Sequence, residues 1–219
     1  MFSFAQFTRH AGQQVLEVGV GAGADFLQWV RAGVYAHGID LTNEAILNVQ
    51  KRLLVYGLAA ADLCIGDSEL PSPDNTFDLV YSWGVIHHAP DTKQSLREIA
   101  RVLRPGGIAK VMVYNRHSLQ ALYCRLRYAL LRGRPWQSIS HVLYFHMESV
   151  GTKAYTRTEF VVMASECGFT IDEIDTAASP FYDLLERYAL PTRIGAKILA
   201  CILGRNKCGW FLGAVMTKP

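Results

Sequence analysis

A glycine-rich turn between a strand pattern and a helix pattern constrains the fold of this chain most. The segment VLEVGVGAGADFLQWV covers residues Val15 to Val30. Its apolar start suits a buried parallel strand, and Gly19, Gly21 and Gly23 then form a turn in which no Cβ keeps a ligand away from the backbone. A helix beginning near Ala24 would direct its free N–H groups at that turn. The turn is therefore suited to a carboxylate or a phosphate, although it can also simply pack a helix on a sheet.

Two cofactor classes fit this loop when it is taken alone. Gly19, Gly21 and Ala24 satisfy the loose GxGxx(G/A) dinucleotide pattern, and Asp40 follows at about the distance expected of a ribose-binding acid. Glu17 stands close ahead of the first glycine. A carboxylate there repels a pyrophosphate, which carries only negative charge, whereas it tolerates a ligand with an ammonium group beside its carboxylate. Glu17 therefore favours a cofactor with an amino-acid end over NAD.

At this point the chain resembles the class I S-adenosylmethionine-dependent methyltransferases, whose first motif has the form E/DxGxGxG. The resemblance is strong over roughly residues 13 to 115, and the strings HHAPD and LREIARVLRPGG are typical of the ubiquinone-biosynthesis-like branch of small-molecule methyltransferases. It implies an α/β fold with a doubly wound, Rossmann-like, seven-stranded and mostly parallel sheet. The last strand is expected to be antiparallel, and a helical insertion is expected after strand five.

The resemblance also implies S-adenosyl-L-methionine as the cofactor and S-adenosyl-L-homocysteine as its product. Asp40 ends the expected second strand and would hold both ribose hydroxyls, because a bidentate carboxylate suits a vicinal diol. Asp67 would accept a hydrogen bond from the adenine amino group, with Ser68 beside it. The expected cofactor-binding residues are Glu17, Gly19, Val20, Gly21, Gly23, Asp40, Leu41, Asp67, Ser68, Ser82, Trp83 and Gly84.

Three residues are candidates for the chemistry. Methyl transfer requires an aligned nucleophile, exclusion of water and sometimes removal of one proton, and it requires no metal. His87 and His88 follow the fourth strand pattern, where open α/β sheets bind ligands. His88 is the first candidate for a general base, although both histidines can instead shape the turn and the pocket. Tyr114 ends the fifth strand pattern and either contacts the nucleophile or is a rim tyrosine.

Helix caps and apolar periodicity predict the remaining elements. Predicted helices cover Thr42 to Leu54 before a stop at Gly57, Asp91 to Leu103 before RPGG, and Thr156 to Gly168 with a capping box at Glu159. Predicted strands cover Phe77 to Tyr81, Ile108 to Tyr114, Phe169 to Ile174, and Gly209 to Lys218. The connection from Ala177 to Cys208 is long, and one or two helices are predicted between Phe181 and Leu203.

The net charge of +3 is unevenly spread along the chain. Residues 1 to 96 hold five Lys/Arg and ten Asp/Glu, residues 97 to 134 hold nine and one, and the remainder holds eight of each. In the basic block Leu119, Leu122, Leu126 and Leu130 recur at helical spacing. The stripe can pack on the domain with its arginines solvated, or the block can face an acidic substrate or an anionic membrane surface. Nucleic acid is disfavoured, because no RNA-binding signature appears.

The polar run HMESVGTKAY, His146 to Tyr155, stands where this family usually places its substrate side. It contains His146, Glu148, Lys153 and Tyr155, which either bind polar groups of the substrate or belong to an ordinary solvated loop.

Composition agrees with a soluble enzyme of one domain. With 219 residues and 50% apolar side chains, the chain can bury one sizeable core. We expect a single methyltransferase domain over residues 1–219, with residues 116–155 inserted on the substrate side. No apolar run reaches membrane-spanning length and the start does not resemble a secretory signal. Five cysteines without a CxxC pair predict reduced thiols, no zinc site and a cytoplasmic location.

The expected function is methyl transfer to a small molecule, acidic or aromatic, with oxygen, carbon and nitrogen all open as acceptor atoms. The alternatives are a cofactor-binding but non-catalytic partner protein and an NAD-dependent oxidoreductase. Only Met1 to Gln14 precede the first strand pattern, whereas such enzymes commonly carry a helical lid there. The insertion around Leu119 to Trp136 could supply the lid, as could a second copy or a partner subunit; otherwise the chain is a shortened form with impaired turnover.

Overall fold

The structure is a computed structural model that describes residues 2–67, 69–177, 194–195, 198, 201–202, 204 and 207–219. Two sequence predictions concern residues that lie outside the described ones: the cofactor-binding role of Ser68, and most of the stretch from 181 to 203 where one or two helices are predicted.

Eight strands among the described residues form one sheet in the order β3-β2-β1-β4-β5-β8-β7, with β6 paired to β5. They are β1 (Gln14–Val18), β2 (Tyr35–Asp40), β3 (Asp62–Ile65), β4 (Phe77–Trp83), β5 (Leu103–Asn115), β6 (Ala154–Tyr155), β7 (Thr170–Ala177) and β8 (Phe211–Thr217). The pairs β1–β2, β1–β4, β2–β3, β4–β5 and the off-path pair β5–β6 are parallel, and β8 runs antiparallel to both β5 and β7. The predicted seven-stranded, mostly parallel sheet with an antiparallel last strand is confirmed, and the two-residue β6 adds an eighth strand.

Three of the helices begin at caps that the sequence predicts. They are α1 (Phe2–Ala5), α2 (Ala24–Arg31), α3 (Asn43–Val55), α4 (Thr92–Val102), α5 (Leu119–Tyr128), α6 (Ile139–His146) and α7 (Arg157–Glu166), with short 3-10 turns at Phe7–His10 and Leu130–Arg132. The side chains of Thr42, Asp91 and Thr156 accept hydrogen bonds from the first turns of α3, α4 and α7. Glu159 completes the predicted capping box of α7.

The RPGG segment forms a bulge in β5 and does not end a helix. Leu103 pairs with Phe77 and Ile108 pairs with Leu79, so the residues between Leu103 and Ile108 loop out from the ladder with β4. Gly106 supports this path with a φ of +76°. The predicted start of the fifth strand at Ile108 is therefore wrong. The strand begins at Leu103, directly after α4, because Leu103 pairs with Phe77 of β4.

Helices cover both faces of the sheet, as in a doubly wound fold. Leu16 and Val80 point to the face that packs against α4 and α7, whereas Val15 and Leu79 point to the face that packs against α2 and α3. Neighbouring strand residues alternate between the two apolar clusters, and both clusters are buried. The order of strands reverses between β1 and β4, and a ligand site is expected at that switch point.

The helices inserted after β5 pack over its carboxyl end. They form a third buried cluster, whose members include Tyr114, Ala121, Cys124, Val142, Leu143, Met147 and Trp210. The inserted segment therefore covers the edge of the sheet where the site is expected.

The leucines that recur at helical spacing in and after α5 do not form the face that packs on the domain. Leu119 is 6% exposed, but Leu122, Leu126 and Leu130 are 45%, 43% and 43% exposed. The small residues at 121 and 124 face the core instead, since they let the helix approach the aromatic rings at the end of β5 closely. The interpretation in which the whole stripe packs on the domain is wrong for these three leucines. Among the described helices, none has the length and apolar character needed to cross a membrane.

Candidate active site

A cavity of about 490 Å³ lies at the carboxyl ends of β1, β2 and β4. Its walls come from the turn after β1, the end of β2 and the segment that follows β4, which is the switch point of the sheet. The volume lies in the range of small-molecule sites. The residues that line the cavity include Gly19, Gly21, Asp40, Leu41, Asp67, Trp83, Gly84, Val85, Ile86, His88, Ala89 and Pro90.

The three glycines of the first turn have different roles. All have positive φ values, +81° at Gly19, +49° at Gly21 and +75° at Gly23. A Cβ on Gly19 would lie 2.2 Å from Val85 Cγ2, and a Cβ on Gly23 would lie 2.7 Å from a methyl group of Val49. A Cβ on Gly21 would meet nothing within 4 Å. Gly19 and Gly23 therefore allow the turn to pack closely on Val85 and Val49, while the backbone of Gly21 faces the open cavity.

Asp40 ties the glycine turn to the end of β2. Its Oδ2 accepts a hydrogen bond of 2.9 Å from the backbone N of Gly21. Its Oδ1 accepts two bonds of 3.0 Å from the backbone N and the hydroxyl of Thr42. Each carboxylate oxygen has two lone pairs, so Asp40 keeps acceptor capacity towards the cavity that it lines. Its orientation is fixed before any ligand binds.

Glu17 is a buried acid with an unsatisfied oxygen. It is 4% exposed, and its Oε2 has no hydrogen-bond partner among the described residues. Burial, reinforced by the neighbouring carboxyl group of Asp25, raises the pKa of Glu17 well above its ordinary value. An ammonium group beside it would compensate this carboxylate, and a pyrophosphate would not. The glycine turn, Asp40 and Glu17 thus fit the ammonium-bearing, ribose-containing cofactor that the sequence suggests.

The other expected cofactor residues divide into cavity walls and supports. Leu41, Asp67, Trp83 and Gly84 line the cavity together with Gly19, Gly21 and Asp40. Four others do not line it: Glu17, Val20, Gly23 and Ser82, all buried. Val20 packs in the cluster of α2 and α3, and Gly23 is the N-cap of α2.

His87 and His88 have opposite environments. His88 lines the cavity. His87 is fully buried, and neither ring nitrogen has a partner in the described part of the chain. Its ring packs between those of His88 and Tyr114, with centroid distances of 4.2 and 4.0 Å. Burial lowers the pKa of His87 to about 3. His87 is therefore a neutral packing ring, and His88 is the histidine that a substrate can reach.

The hydrogen bonds of His88 orient its ring. Its Nδ1 lies 3.2 Å from Ser149 Oγ and 3.2 Å from Thr152 Oγ1. Thr152 donates its own hydroxyl proton to the carbonyl oxygen of Ser149 at 2.7 Å. The other ring nitrogen, Nε2, lies 3.5 Å from Glu148 Oε2. Both ring nitrogens therefore have polar neighbours in the segment that follows α6.

Glu148 joins His88 to Tyr114. The buried hydroxyl of Tyr114 donates a 2.7 Å hydrogen bond to Glu148 Oε2. Glu148 has a φ of +23°, in the left-handed region that side chains avoid, so these contacts hold a strained residue in place. The predicted base, the predicted tyrosine and one predicted substrate-side residue thus meet at one point. Ser149 and Thr152 were missed by sequence reasoning, and no signal beyond their position beside Glu148 indicates them.

The remaining residues of the polar run lie apart from this point. His146 is exposed and stacks on Tyr128 with centroids 4.4 Å apart. Lys153 Nζ donates to the carbonyl oxygens of Ala89 and Pro90. The backbone N–H of Lys153 donates to the carbonyl oxygen of His87 at 3.1 Å. Burial lowers the pKa of Lys153. The lysine therefore fixes the turn that carries both histidines.

Tyr155 contributes to a second cavity of about 380 Å³ behind the polar run. Its hydroxyl donates to Thr92 Oγ1 at 2.8 Å, and burial raises its pKa. Arg116 in the same wall bonds to Ser140 and forms an ion pair with Glu159. The polar groups of this cavity satisfy one another, which suits a structural role.

Comparisons with known proteins agree with this geometry. A family model described as a methyltransferase domain matches residues 16–111. A demethylmenaquinone methyltransferase of Tropheryma whipplei is 30% identical over 162 residues, which cover 73% of this chain and 67% of the relative. A phosphoethanolamine N-methyltransferase of Caenorhabditis elegans is 34% identical over 107 residues, which cover 48% of this chain and 24% of that relative. The chain thus spans between a quarter and two thirds of these two proteins.

Solved structures share the fold. An S-adenosylmethionine-dependent methyltransferase from Mesorhizobium loti superimposes with a TM-score of 0.67 at 17% identity, covering 98% of this chain and 95% of that one. A methyltransferase solved in complex with the Trm112 activator of Haloferax volcanii gives a TM-score of 0.69 at 20% identity, with 100% and 90% coverage. At such low sequence identities the likeness supports a shared fold and nothing more specific.

Proposed function

The chain belongs to the class I S-adenosylmethionine-dependent methyltransferases, and from this premise we propose that it transfers the cofactor's methyl group to a small-molecule acceptor. The observation that carries the proposal is the convergence of two parts on one cavity. The glycine turn with Asp40 forms one wall, and His88 opens into the same space. A binding site alone needs the first part, whereas transfer to an acceptor that must lose a proton needs both.

The cofactor side would hold S-adenosylmethionine through three acidic residues. Glu17 compensates the ammonium group, Asp40 accepts from both ribose hydroxyls, and Asp67 accepts from the adenine amino group. Gly21 leaves room for the ligand, since a Cβ there would meet nothing within 4 Å. When bound, the cofactor supplies an activated methyl group on a sulfonium.

His88 acts as the general base in this proposal. Its Nε2 removes the proton of the acceptor group as that group attacks, and Glu148, 3.5 Å away, stabilises the imidazolium that results. Ser149 and Thr152 hold Nδ1 so that the ring keeps its orientation. Tyr114 holds Glu148. Because an uncharged amine needs no prior loss of a proton, the dyad favours a hydroxyl or an acidic carbon as the acceptor atom.

The inserted segment closes the substrate side. Residues 116–155 belong to the same domain as the sheet in this proposal, and α5 and α6 pack over the end of β5 through their buried cluster. Met147 and Glu148 continue directly from α6 towards His88. In this proposal the segment acts as a lid and shields the reacting atoms from water.

Calorimetry with S-adenosylhomocysteine tests the cofactor assignment. The wild type should bind, and Asp40→Ala should weaken binding by about tenfold to hundredfold, because it removes the acceptor of two hydroxyl groups. Asp62→Ala is the matched control, since Asp62 is exposed and does not line the cavity. Absence of binding by the wild type at millimolar ligand rejects the proposal, and displacement of the product by NAD would favour an oxidoreductase.

A further inference from the structure

The outer side of the inserted segment carries exposed apolar side chains. Leu131 is 75% and Trp136 77% exposed, and Leu122, Leu126 and Leu130 are nearly half exposed. The three leucines repeat every four residues and therefore lie along one side of the segment. Single exposed apolar residues are ordinary, but five within fifteen positions form a concentration that needs an explanation.

The same stretch is strongly basic. Arg125, Arg127, Arg132 and Arg134 accompany the leucines, and the sequence has no acidic residue between Glu98 and Glu148. Within the described residues, no salt bridge involves Arg132 or Arg134. We use the name leucine–arginine surface for Leu122, Leu126, Leu130, Leu131, Trp136, Arg132 and Arg134. It combines apolar groups with two cations that have no acidic partner among the described residues; Arg132 lies over the ring of Tyr128, 5.5 Å from its centroid.

We propose that the leucine–arginine surface docks on an anionic lipid bilayer. Interfacial protein segments combine Leu and Trp, which enter the boundary of the acyl chains, with Arg, which binds lipid phosphates. A two-fold contact between copies through this surface would place arginine against arginine with no acid to compensate, which disfavours a dimer. Exposed leucines likewise do not suit a nucleic acid. The occupant that matches both the charge and the apolar groups is a lipid surface.

The position of the surface relates it to the cavity. The buried side of α5 contacts the cluster of Tyr114 and Trp210, and α6 leads into Glu148 beside His88. Docking would therefore engage the segment that covers the site. The inference goes beyond the proposed methyl transfer and does not depend on it, since binding to lipid is measured without turnover.

Co-sedimentation with vesicles tests the proposal. The full chain should bind vesicles of phosphatidylcholine mixed with phosphatidylglycerol, bind pure phosphatidylcholine weakly, and lose binding as salt rises. Each arginine near an anionic bilayer raises partitioning roughly fivefold, so Arg132→Glu with Arg134→Glu should lower it by about 25-fold or more. Lys51→Glu with Arg52→Glu is the matched control on the exposed side of α3 and should bind as the wild type does.

A second variant tests the apolar part. Leu131→Glu with Trp136→Glu should lower binding at least about tenfold, whereas Leu54→Glu with Val55→Glu, equally exposed on α3, should not. Tryptophan emission should shift to the blue with anionic vesicles and lose that shift in Trp136→Phe, because Trp29 and Trp210 are already fully buried and Trp83 lines the cavity. Circular dichroism and a melting curve confirm that each variant is folded.

Three results would overturn the proposal. The first is equal sedimentation with neutral and anionic vesicles. The second is no difference between the surface variants and their α3 controls. The third is a dimer in solution that Leu131→Glu with Trp136→Glu dissociates while vesicle binding is absent, since a second copy would then occupy the surface.

Discussion

The cofactor side of the sheet, residues 14–102, and the inserted segment, residues 116–155, meet at one cavity but are held together by contacts of different range. On the cofactor side, Asp40 bonds to Gly21 and Thr42, and Thr42 caps the helix that follows. These contacts join residues a few positions apart or on adjacent parallel strands. In the inserted segment, Ser149 and Thr152 reach His88 across 61 and 64 positions.

This difference separates two tasks. The cofactor side is organised by its own turns and caps, so it presents a fixed binding surface. The inserted segment contributes Glu148, whose backbone is strained and whose side chain contacts Tyr114 and His88 elsewhere in the chain. Binding of the cofactor and removal of the acceptor's proton should therefore respond to different substitutions.

The largest effect is expected at the dyad. His88→Ala should lower kcat by about 10²–10⁴-fold, because it removes the proposed general base, and Glu148→Gln should lower kcat in the same direction. The Kd for S-adenosylhomocysteine should stay within about twofold in both variants. His146→Ala is the control, since His146 stacks on Tyr128 away from the dyad. Steady-state kinetics beside calorimetry measure the split, and a loss of cofactor affinity equal to the loss of kcat would break the division between the two regions.

The next effect concerns the glycine turn. Gly19→Ala should lower the free energy of unfolding by about 3 kcal/mol, because a Cβ there combines a positive φ with a contact of 2.2 Å to Val85. Gly12→Ala has a similar φ of +76° with open space around it and should cost about 1 kcal/mol. Urea unfolding measures both. Adding Val85→Ala to Gly19→Ala should recover part of the loss, and equal costs at Gly12 and Gly19 would show that the turn does not hold Val85.

A smaller effect lies where the two regions touch, at His87. Its pKa is about 3 in the folded protein and 6.5 when unperturbed, so the unfolded chain binds more protons between these values. Its contribution to stability is complete above pH 6.5 and is lost as the pH falls towards 3. At pH 5 the wild type should have lost about 2 kcal/mol relative to His87→Phe, which cannot titrate. Parallel slopes for the two proteins in urea unfolding at pH 7 and pH 5 would contradict the burial of a neutral ring.

Local patterns explain what the sequence could predict. The glycine turn at Gly19 to Gly23 and the caps at Thr42, Asp91 and Thr156 follow from residues close together in the chain. The mostly parallel sheet with an antiparallel last strand was predicted from the resemblance to a family. The bulge in β5 did not follow, because RPGG is also a common helix end and only pairing of Leu103 with Phe77 decides between them.

Contacts between distant segments explain the rest. HHAPD gives two adjacent histidines, and only packing against Tyr114 buries His87 while His88 faces the cavity. For Glu148 the sequence left open a contact with the substrate or a place in a solvated loop, and its position beside Tyr114 depends on the path of the whole insertion. The wider the separation in sequence, the less the residue types alone determine the partner.

The smallest effect is expected at the leucines of α5. Leu126→Ala should cost about 0.5–1 kcal/mol because Leu126 is 43% exposed, whereas Leu143→Ala in the buried cluster should cost about 2–5 kcal/mol. The pair compares one residue type within one inserted segment, so the difference in unfolding free energy reports burial alone. Equal costs would mean that another part of the chain covers the stripe in solution. The leucine–arginine surface would then be buried inside the protein, and the inserted segment would have no exposed apolar side.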